Sequence, residues 1–138
     1  LCQQRDLAKL REEVVAMRHK MLDAHASKSE HEFDLKQDRG GIIDVEFIVQ
    51  FLVLGHARHY QQLTGNLGNI ALLRIAGELG LIPPAEAAAA GNAYREYRRL
   101  QHAQRLSAEP RGHGDRDSLE PHIAAVNRLW HTVLGGPA

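Results

Sequence analysis

The chain has 138 residues, which suit one domain, and its 17 lysine and arginine residues are balanced by 17 aspartate and glutamate residues. This zero net charge argues against a nucleic-acid-binding protein, which normally carries an excess of positive charge, and the single cysteine, Cys2, excludes an internal disulfide and a cysteine-based zinc site. The longest apolar stretch is interrupted by acidic residues, so we expect no membrane span and a cytoplasmic location.

Hydrophobic periodicity predicts about five helices and no strand. The first helix is expected over residues 3–26, where an apolar stripe repeats at alternating steps of three and four residues. The members of the stripe are Leu7, Leu10, Val14, Met17 and Met21. Because the stripe is narrow, we expect this helix to pack on one side and to keep its arginine, glutamate and lysine residues on the other faces.

A second helix is predicted to start at the Gly40–Gly41 turn and to run to about residue 62. The preceding segment, residues 27–38, is polar and is predicted to be a loop. Between residues 42 and 54 the apolar side chains point in almost every direction around the helix axis. That distribution is typical of a helix enclosed by neighbours.

Three more helices complete the prediction. A short helix is expected over residues 70–80, and the next begins at Pro83-Pro84, because proline is tolerated in the first turn of a helix. Residues 107–118 are the clearest predicted loop, and a last helix is expected over about 118–134. Amphipathic helices with short connections predict an all-α fold, an antiparallel bundle formed by a single domain over residues 1–138.

The stretch from Phe33 to Leu54 carries the most specific motif in the chain. It reads FDLKQDRGGIIDVEFIVQFLVL and resembles a signature of the glutamine synthetase adenylyltransferase/adenylyl-removing family. The matching positions are Leu35, Lys36, Gly40, Gly41, Ile42, Asp44, Val45, Glu46, Phe47 and Gln50. The beginning and end of the stretch look more like the second half of these enzymes, which transfers the adenylyl group.

The resemblance implies a helical domain of the substrate-binding type that follows a nucleotidyltransferase domain in a larger enzyme. By that resemblance the parent enzyme uses ATP and Mg²⁺ to place AMP on a tyrosine of glutamine synthetase, and removes it, under nitrogen control through the PII signal protein. This domain is then expected to pack against the catalytic domain of the same chain, to help present the substrate, and to bind no cofactor itself. Two alternatives stay open: the helical domain of PII uridylyltransferase, whose related signature agrees less well, and a stand-alone helical module that binds a partner protein.

No catalytic residue and no metal site are expected within this chain. The Gly-Ser turn and the paired carboxylates that hold Mg²⁺ in the family have no counterpart in the sequence. Asp115-Arg116-Asp117 is an Asp-x-Asp sequence, which we interpret as the N-terminal cap of the last helix. His56 and His59 lie one turn apart, but a third ligand is not evident.

The candidate nucleotide-cleft or interdomain residues all lie in the signature. Lys36 precedes the Gly40–Gly41 turn and the first free N–H groups of a helix, where it can offer positive charge to a phosphate; the alternative is an ordinary exposed loop lysine. Glu46 and Gln50 lie on one stripe of an enclosed helix and need partners, which we expect to be an arginine of another helix or the catalytic domain. Asp44 is interpreted as a first-turn carboxylate that interacts favourably with the helix dipole.

Overall fold

The structure, a computed structural model, describes residues 2–24, 32–56, 68–106 and 113–135. Within these residues the chain forms five helices: α1 (Cys2–Ala24), α2 (Ile42–His56), α3 (Asn69–Glu78), α4 (Pro84–Arg105) and α5 (Arg116–Leu134). Two three-residue strands, β1 (Glu32–Asp34) and β2 (His113–Asp115), pair in antiparallel orientation. The prediction of an all-α helical bundle is confirmed.

The helix bounds follow the sequence pattern closely. The predicted and observed bounds of α3 and α5 differ by at most two residues, and α4 begins at the second residue of the Pro83-Pro84 pair. α1 begins within one residue of its predicted start, and its predicted end at residue 26 lies outside the described residues. The predicted end of the second helix, at about residue 62, lies outside the described residues. None of the helices described is both long and apolar enough to cross a membrane.

The prediction of no strand was wrong. Phe33 of β1 faces Gly114 of β2 in the register of the pair, so two segments that were predicted to be loops are joined. Each strand is only three residues long, which is too short for the alternation that identifies a strand in sequence. The pairing holds the chain shortly before the Gly40–Gly41 turn. The side chain of Phe33 is completely buried.

α2 is the central helix of the bundle, as its sequence predicted. It contacts each of the other four helices. Its buried apolar residues are Ile42, Ile43, Val45, Ile48, Val49, Phe51 and Leu52, and full burial of such a side chain stabilises the fold by about 1.5–3 kcal/mol. One edge of α2 stays open: Glu46, Gln50 and Leu54 are exposed, and their i, i+4, i+8 spacing places them on one face.

α1 packs against α2, and most of the predicted stripe lies on the packed side as expected, with Leu7, Leu10 and Val14 against the core. Leu7 lies against Gly55 near one end of the pair, and Arg18 lies against Asp44 near the other, so the two helices are antiparallel. Met17, a predicted member of the stripe, is 57% exposed, whereas Arg18 beside it is fully buried. The expectation that the arginines of α1 lie on its open faces was therefore wrong for Arg18.

Candidate functional site

Each glycine of the turn between β1 and α2 is required for its own reason. Gly40 adopts a φ of 85°, and a Cβ at this position would lie 2.8 Å from Cγ2 of Ile123 in α5. A Cβ at Gly41 would lie 2.7 Å from the carbonyl oxygen of Leu35. Only glycine allows the turn to approach both α5 and the loop that precedes it. Both glycines are buried within this domain, so their packing is explained without a neighbouring domain.

The backbone N–H groups around the start of α2 already have acceptors. The N–H of Ile42 donates to the carbonyl of Leu35 at 2.8 Å, and the N–H of Ile43 donates to the carbonyl of Lys36 at 3.0 Å. The N–H of Gly40 donates to a carboxylate oxygen of Asp44 at 2.6 Å. The N–H groups of Gly40, Ile42 and Ile43, which were among those expected to assist phosphate binding, are therefore occupied.

Asp44 is a buried partner of α1 and not simply a first-turn carboxylate. The Nε of Arg18 lies 2.5 Å from Oδ1 of Asp44, and the two side chains are 0% and 1% exposed. The Nη2 of the same guanidinium donates to the carbonyl oxygens of Gln37 at 2.6 Å and Asp38 at 3.3 Å. Arg18 thus joins α1, the loop and the start of α2 at one point.

Sequence reasoning missed Arg18, although the sequence contains a signal for it. Arg11 and Arg18 are seven residues apart and continue the i, i+4, i+7 spacing that starts at Leu7. Arg11 also lies on the packed side: its Nε donates to the carbonyl of Val133, and its guanidinium lies over the ring of Phe51. Assigning apolar residues to the buried face selected Met17 instead, because hydropathy alone does not detect a buried ion pair.

A second group of carboxylates holds the outer part of the loop. Oδ1 of Asp34 accepts hydrogen bonds from the N–H groups of Lys36 at 2.9 Å and Gln37 at 3.0 Å. Oδ2 of Asp38 accepts from the N–H of Asp34 at 2.9 Å and from Nη2 of Arg116 at 3.2 Å. The loop is therefore held to α5 as well as to α1.

Lys36 is the only exposed residue between Phe33 and Val45. Its N–H donates to Asp34, its carbonyl accepts from Ile43, and the next two carbonyls accept from Arg18. The backbone of Lys36 is thus held on both sides while its side chain reaches solvent. This arrangement presents a flexible lysine side chain to solvent from a backbone held in one place.

Glu46 and Gln50 are exposed on the open edge of α2. The expectation that the helix encloses these two side chains was therefore wrong, and the buried arginine of another helix, Arg18, pairs with Asp44. The other expected partner, the catalytic domain, remains a prediction.

The interior beside the Arg18–Asp44 pair strongly disfavours charge. Burial raises the pKa of the Tyr97 phenol far above its ordinary value, and the negative charges of Asp44 and Glu120 add to the effect. Tyr97 therefore stays protonated near neutral pH. Burial also lowers the pKa of the Arg39 guanidinium, which lies 5.6 Å from the ring centre of Trp130.

The Asp-x-Asp sequence lies at the start of α5, as predicted. Asp115 occupies the N-cap position, but its carboxylate accepts no hydrogen bond from the backbone N–H groups of the first turn. It accepts one from the Ser118 hydroxyl at 2.7 Å. Asp117 lies in the first turn. His56 ends α2, whereas His59 lies outside the described residues. Among the residues that the structure describes, no three metal-ligating side chains come together.

Comparison with known proteins gives the relatives of the chain. Residues 7–126 match the family model described as GlnD PII-uridylyltransferase. The chain is 69% identical to the bifunctional glutamine synthetase adenylyltransferase/adenylyl-removing enzyme of Aromatoleum aromaticum, across 95% of the chain and 14% of that protein. Proteins of the same name from Nitrosomonas europaea and Bordetella bronchiseptica are 53% and 52% identical across 98% and 94% of the chain. The chain spans only 16% and 14% of the length of these two relatives.

Proposed function

Because the chain belongs to the family described by the GlnD PII-uridylyltransferase model, and because relatives aligned over nearly all of it are named for adenylyl transfer, we propose that it is the helical domain of a glutamine synthetase adenylyltransferase/adenylyl-removing enzyme. The proposed parent enzyme is cytoplasmic. It transfers AMP from ATP to a tyrosine of glutamine synthetase and removes it, under control of the PII signal protein. The domain belongs to the adenylyl-transferring, C-terminal half of that enzyme.

The observation that carries the proposed role is the exposure of Lys36 alone within a buried, hydrogen-bonded loop. Nucleotidyl transfer develops negative charge on the phosphate oxygens, and a positioned cation stabilises that charge. Lys36 offers such a cation, whereas the glycines and Asp44 of the same signature hold the loop that carries it. We assign Lys36 to the edge of the nucleotide cleft of the catalytic domain.

ATP and Mg²⁺ are assigned to the catalytic domain of the parent enzyme. The residues described here bring no set of three metal-ligating side chains together, and Asp44 is already committed to Arg18. In this proposal the described part of the chain contributes binding surface and the positive charge of Lys36.

The open edge of α2 is the proposed contact surface for the catalytic domain. It consists of Glu46, Gln50 and Leu54, and Leu54 is 59% exposed although α2 is otherwise enclosed. A partner that covers this edge removes apolar surface from water and offers groups to the two polar side chains. The relatives are about six to seven times longer than the aligned segment, since it spans 14–16% of their length, so a covering domain in the same protein is the simplest occupant.

The competing activity is uridylyl transfer to PII, because the description of the matching family model names it. The discriminating experiment supplies the intact parent protein with labelled ATP and glutamine synthetase, and in parallel with labelled UTP and PII. We expect AMP on a tyrosine of glutamine synthetase and no UMP on PII. The reverse labelling pattern would replace the proposal by its competitor, and labelling of neither protein would reject both.

The role of Lys36 is tested in the same assay. Lys36→Ala removes a charge-assisted contact, so we expect kcat/KM for AMP transfer to fall about tenfold or more. Lys20→Ala is the matched control, since Lys20 is an exposed lysine of α1 outside the signature, and it should leave the rate within about twofold. Equal rates for the two variants would show that Lys36 is an ordinary surface lysine.

A further inference from the structure

We propose that Arg18 is a positioning residue, which holds the loop over residues 34–40 so that the Lys36 side chain extends from a backbone held in one place. This inference rests on the proposed function of Lys36, and it adds a residue from α1 that lies outside the signature.

Every side-chain hydrogen bond that Arg18 makes among the described residues ends on the loop or on the start of α2. The partners are the carboxylate of Asp44 and the carbonyls of Gln37 and Asp38. Those carbonyls belong to the two residues directly after Lys36. A guanidinium is planar and presents its donors in a fixed geometry, so these bonds set the orientation of the peptide groups next to Lys36.

Other bonds hold the opposite side of the same residue. The Asp34 carboxylate accepts from the N–H of Lys36, and the Ile43 N–H donates to its carbonyl. Since Arg18 is fully buried, the loop rests on a charged group that solvent does not reach. The result is a rigid backbone with one exposed side chain.

The energetic character of the pair argues that stability alone does not explain it. Removing an arginine and a carboxylate from water is costly, and apolar residues of similar volume often stabilise a fold as well or better. Nη1 of Arg18 is also buried without a hydrogen-bond acceptor among the described residues, which adds to the cost. What the guanidinium provides, and an apolar side chain does not, is directed bonds to the loop carbonyls.

The first test is hydrogen exchange on the 138-residue chain. Arg18→Lys keeps the charge beside Asp44 but loses the planar set of donors. We expect the N–H groups of Lys36, Gln37 and Gly40 to exchange at least about tenfold faster, measured relative to N–H groups in the middle of α4. Arg11→Lys is the matched control, because Arg11 lies on the same helix and contacts Val133 and Phe51 instead of the loop. Unchanged exchange of the loop in Arg18→Lys would overturn the positioning role.

The second test is a double-mutant cycle in the intact parent enzyme, with kcat/KM for AMP transfer as the readout. If Arg18 acts through Lys36, Arg18→Lys should lower the rate about fivefold when Lys36 is present and less than about twofold in the Lys36→Ala background. Arg11→Lys should stay within about twofold in both. A structural role alone gives the same loss in both backgrounds, and that result would reject positioning.

The two proposals can fail separately. If Lys36→Ala alone leaves the rate unchanged, the proposed function of Lys36 is rejected, and the positioning of Lys36 is rejected with it. If Lys36→Ala lowers the rate but the loss caused by Arg18→Lys persists without the lysine, the function of Lys36 stands and only the positioning inference is rejected.

Discussion

Substitutions of Arg18 and Asp44 should have strongly non-additive effects on the free energy of unfolding. Arg18→Met removes the cation and its bonds to two carbonyls, and among the described residues it leaves the Gly40 N–H as the remaining hydrogen-bond donor to the buried Asp44 carboxylate. Breaking a buried pair in this way typically costs about 3–5 kcal/mol. For a chain of this size that loss lowers Tm by roughly 10 °C or more.

The coupling between the two residues is the sharper quantity. Asp44→Asn alone leaves the Arg18 cation uncompensated in the interior, so it should also destabilise strongly. The double variant carries neither charge, and the amide oxygen of the asparagine can still accept from Gly40. We therefore expect the double variant to be more stable than the sum of the single effects predicts, by at least about 2 kcal/mol.

The measurement is urea unfolding of the four proteins, with the m value checked for constancy. The control cycle uses Arg74 and Glu78, an i,i+4 pair at 3.2 Å whose side chains are 66% and 63% exposed. An exposed helix pair of this kind should give a coupling of only about 0.3–0.5 kcal/mol. Equal coupling energies for the two pairs would refute the view that burial strengthens the interaction between Arg18 and Asp44.

The remaining predictions concern the glycine turn, alkaline stability and activity. Gly40→Ala should lower the free energy of unfolding by about 2–4 kcal/mol, because it combines a positive φ with a clash against Ile123. The control is Gly80→Ala, at a φ of 80° with open space around it, which should lower the free energy of unfolding by about 1–2 kcal/mol. Equal losses in denaturant unfolding would show that the clash with Ile123 has no effect. Because burial raises the pKa of Tyr97 above its ordinary value of 10.0, the contribution of the protonated phenol to stability is complete below pH 10 and declines as the pH rises further. The free energy of unfolding, measured from pH 8 to 11, should therefore fall less steeply in Tyr97→Phe than in the unchanged chain. Parallel profiles for the two proteins would contradict this. The pure 138-residue chain should transfer no AMP to glutamine synthetase in a labelling assay, and any specific transfer would show that catalysis does not require another domain.

The fold was largely predictable because it depends on periodicity. The all-round apolar character of residues 42–54 identified the central helix, and Pro83-Pro84 marked the start of α4 within one residue. The β1–β2 pair was not predictable in this way. It joins two short segments about 80 residues apart, and the gain from pairing them depends on the packing of Phe33 in the assembled core.

The candidate site was predictable in composition but not in arrangement. The signature identified Lys36, Gly40–Gly41 and Asp44, yet nothing in its spacing reveals that Asp44 is buried against Arg18 on a helix 26 residues earlier. A buried ion pair has no hydropathy pattern, since each member alone resembles a surface residue. The spacing from Leu7 can place Arg18 on the packed face of α1, but that Arg18 pairs with Asp44 is known only from the three-dimensional contact.

The most direct measurement is an experimental structure of this domain joined to its catalytic domain with a bound ATP analogue. We predict that Lys36 Nζ lies within about 4 Å of a phosphate oxygen, as an ion pair requires, and that the edge formed by Glu46, Gln50 and Leu54 is covered by the catalytic domain. A structure in which Lys36 faces solvent far from the nucleotide, with that edge of α2 uncovered, would contradict the proposed role of this domain.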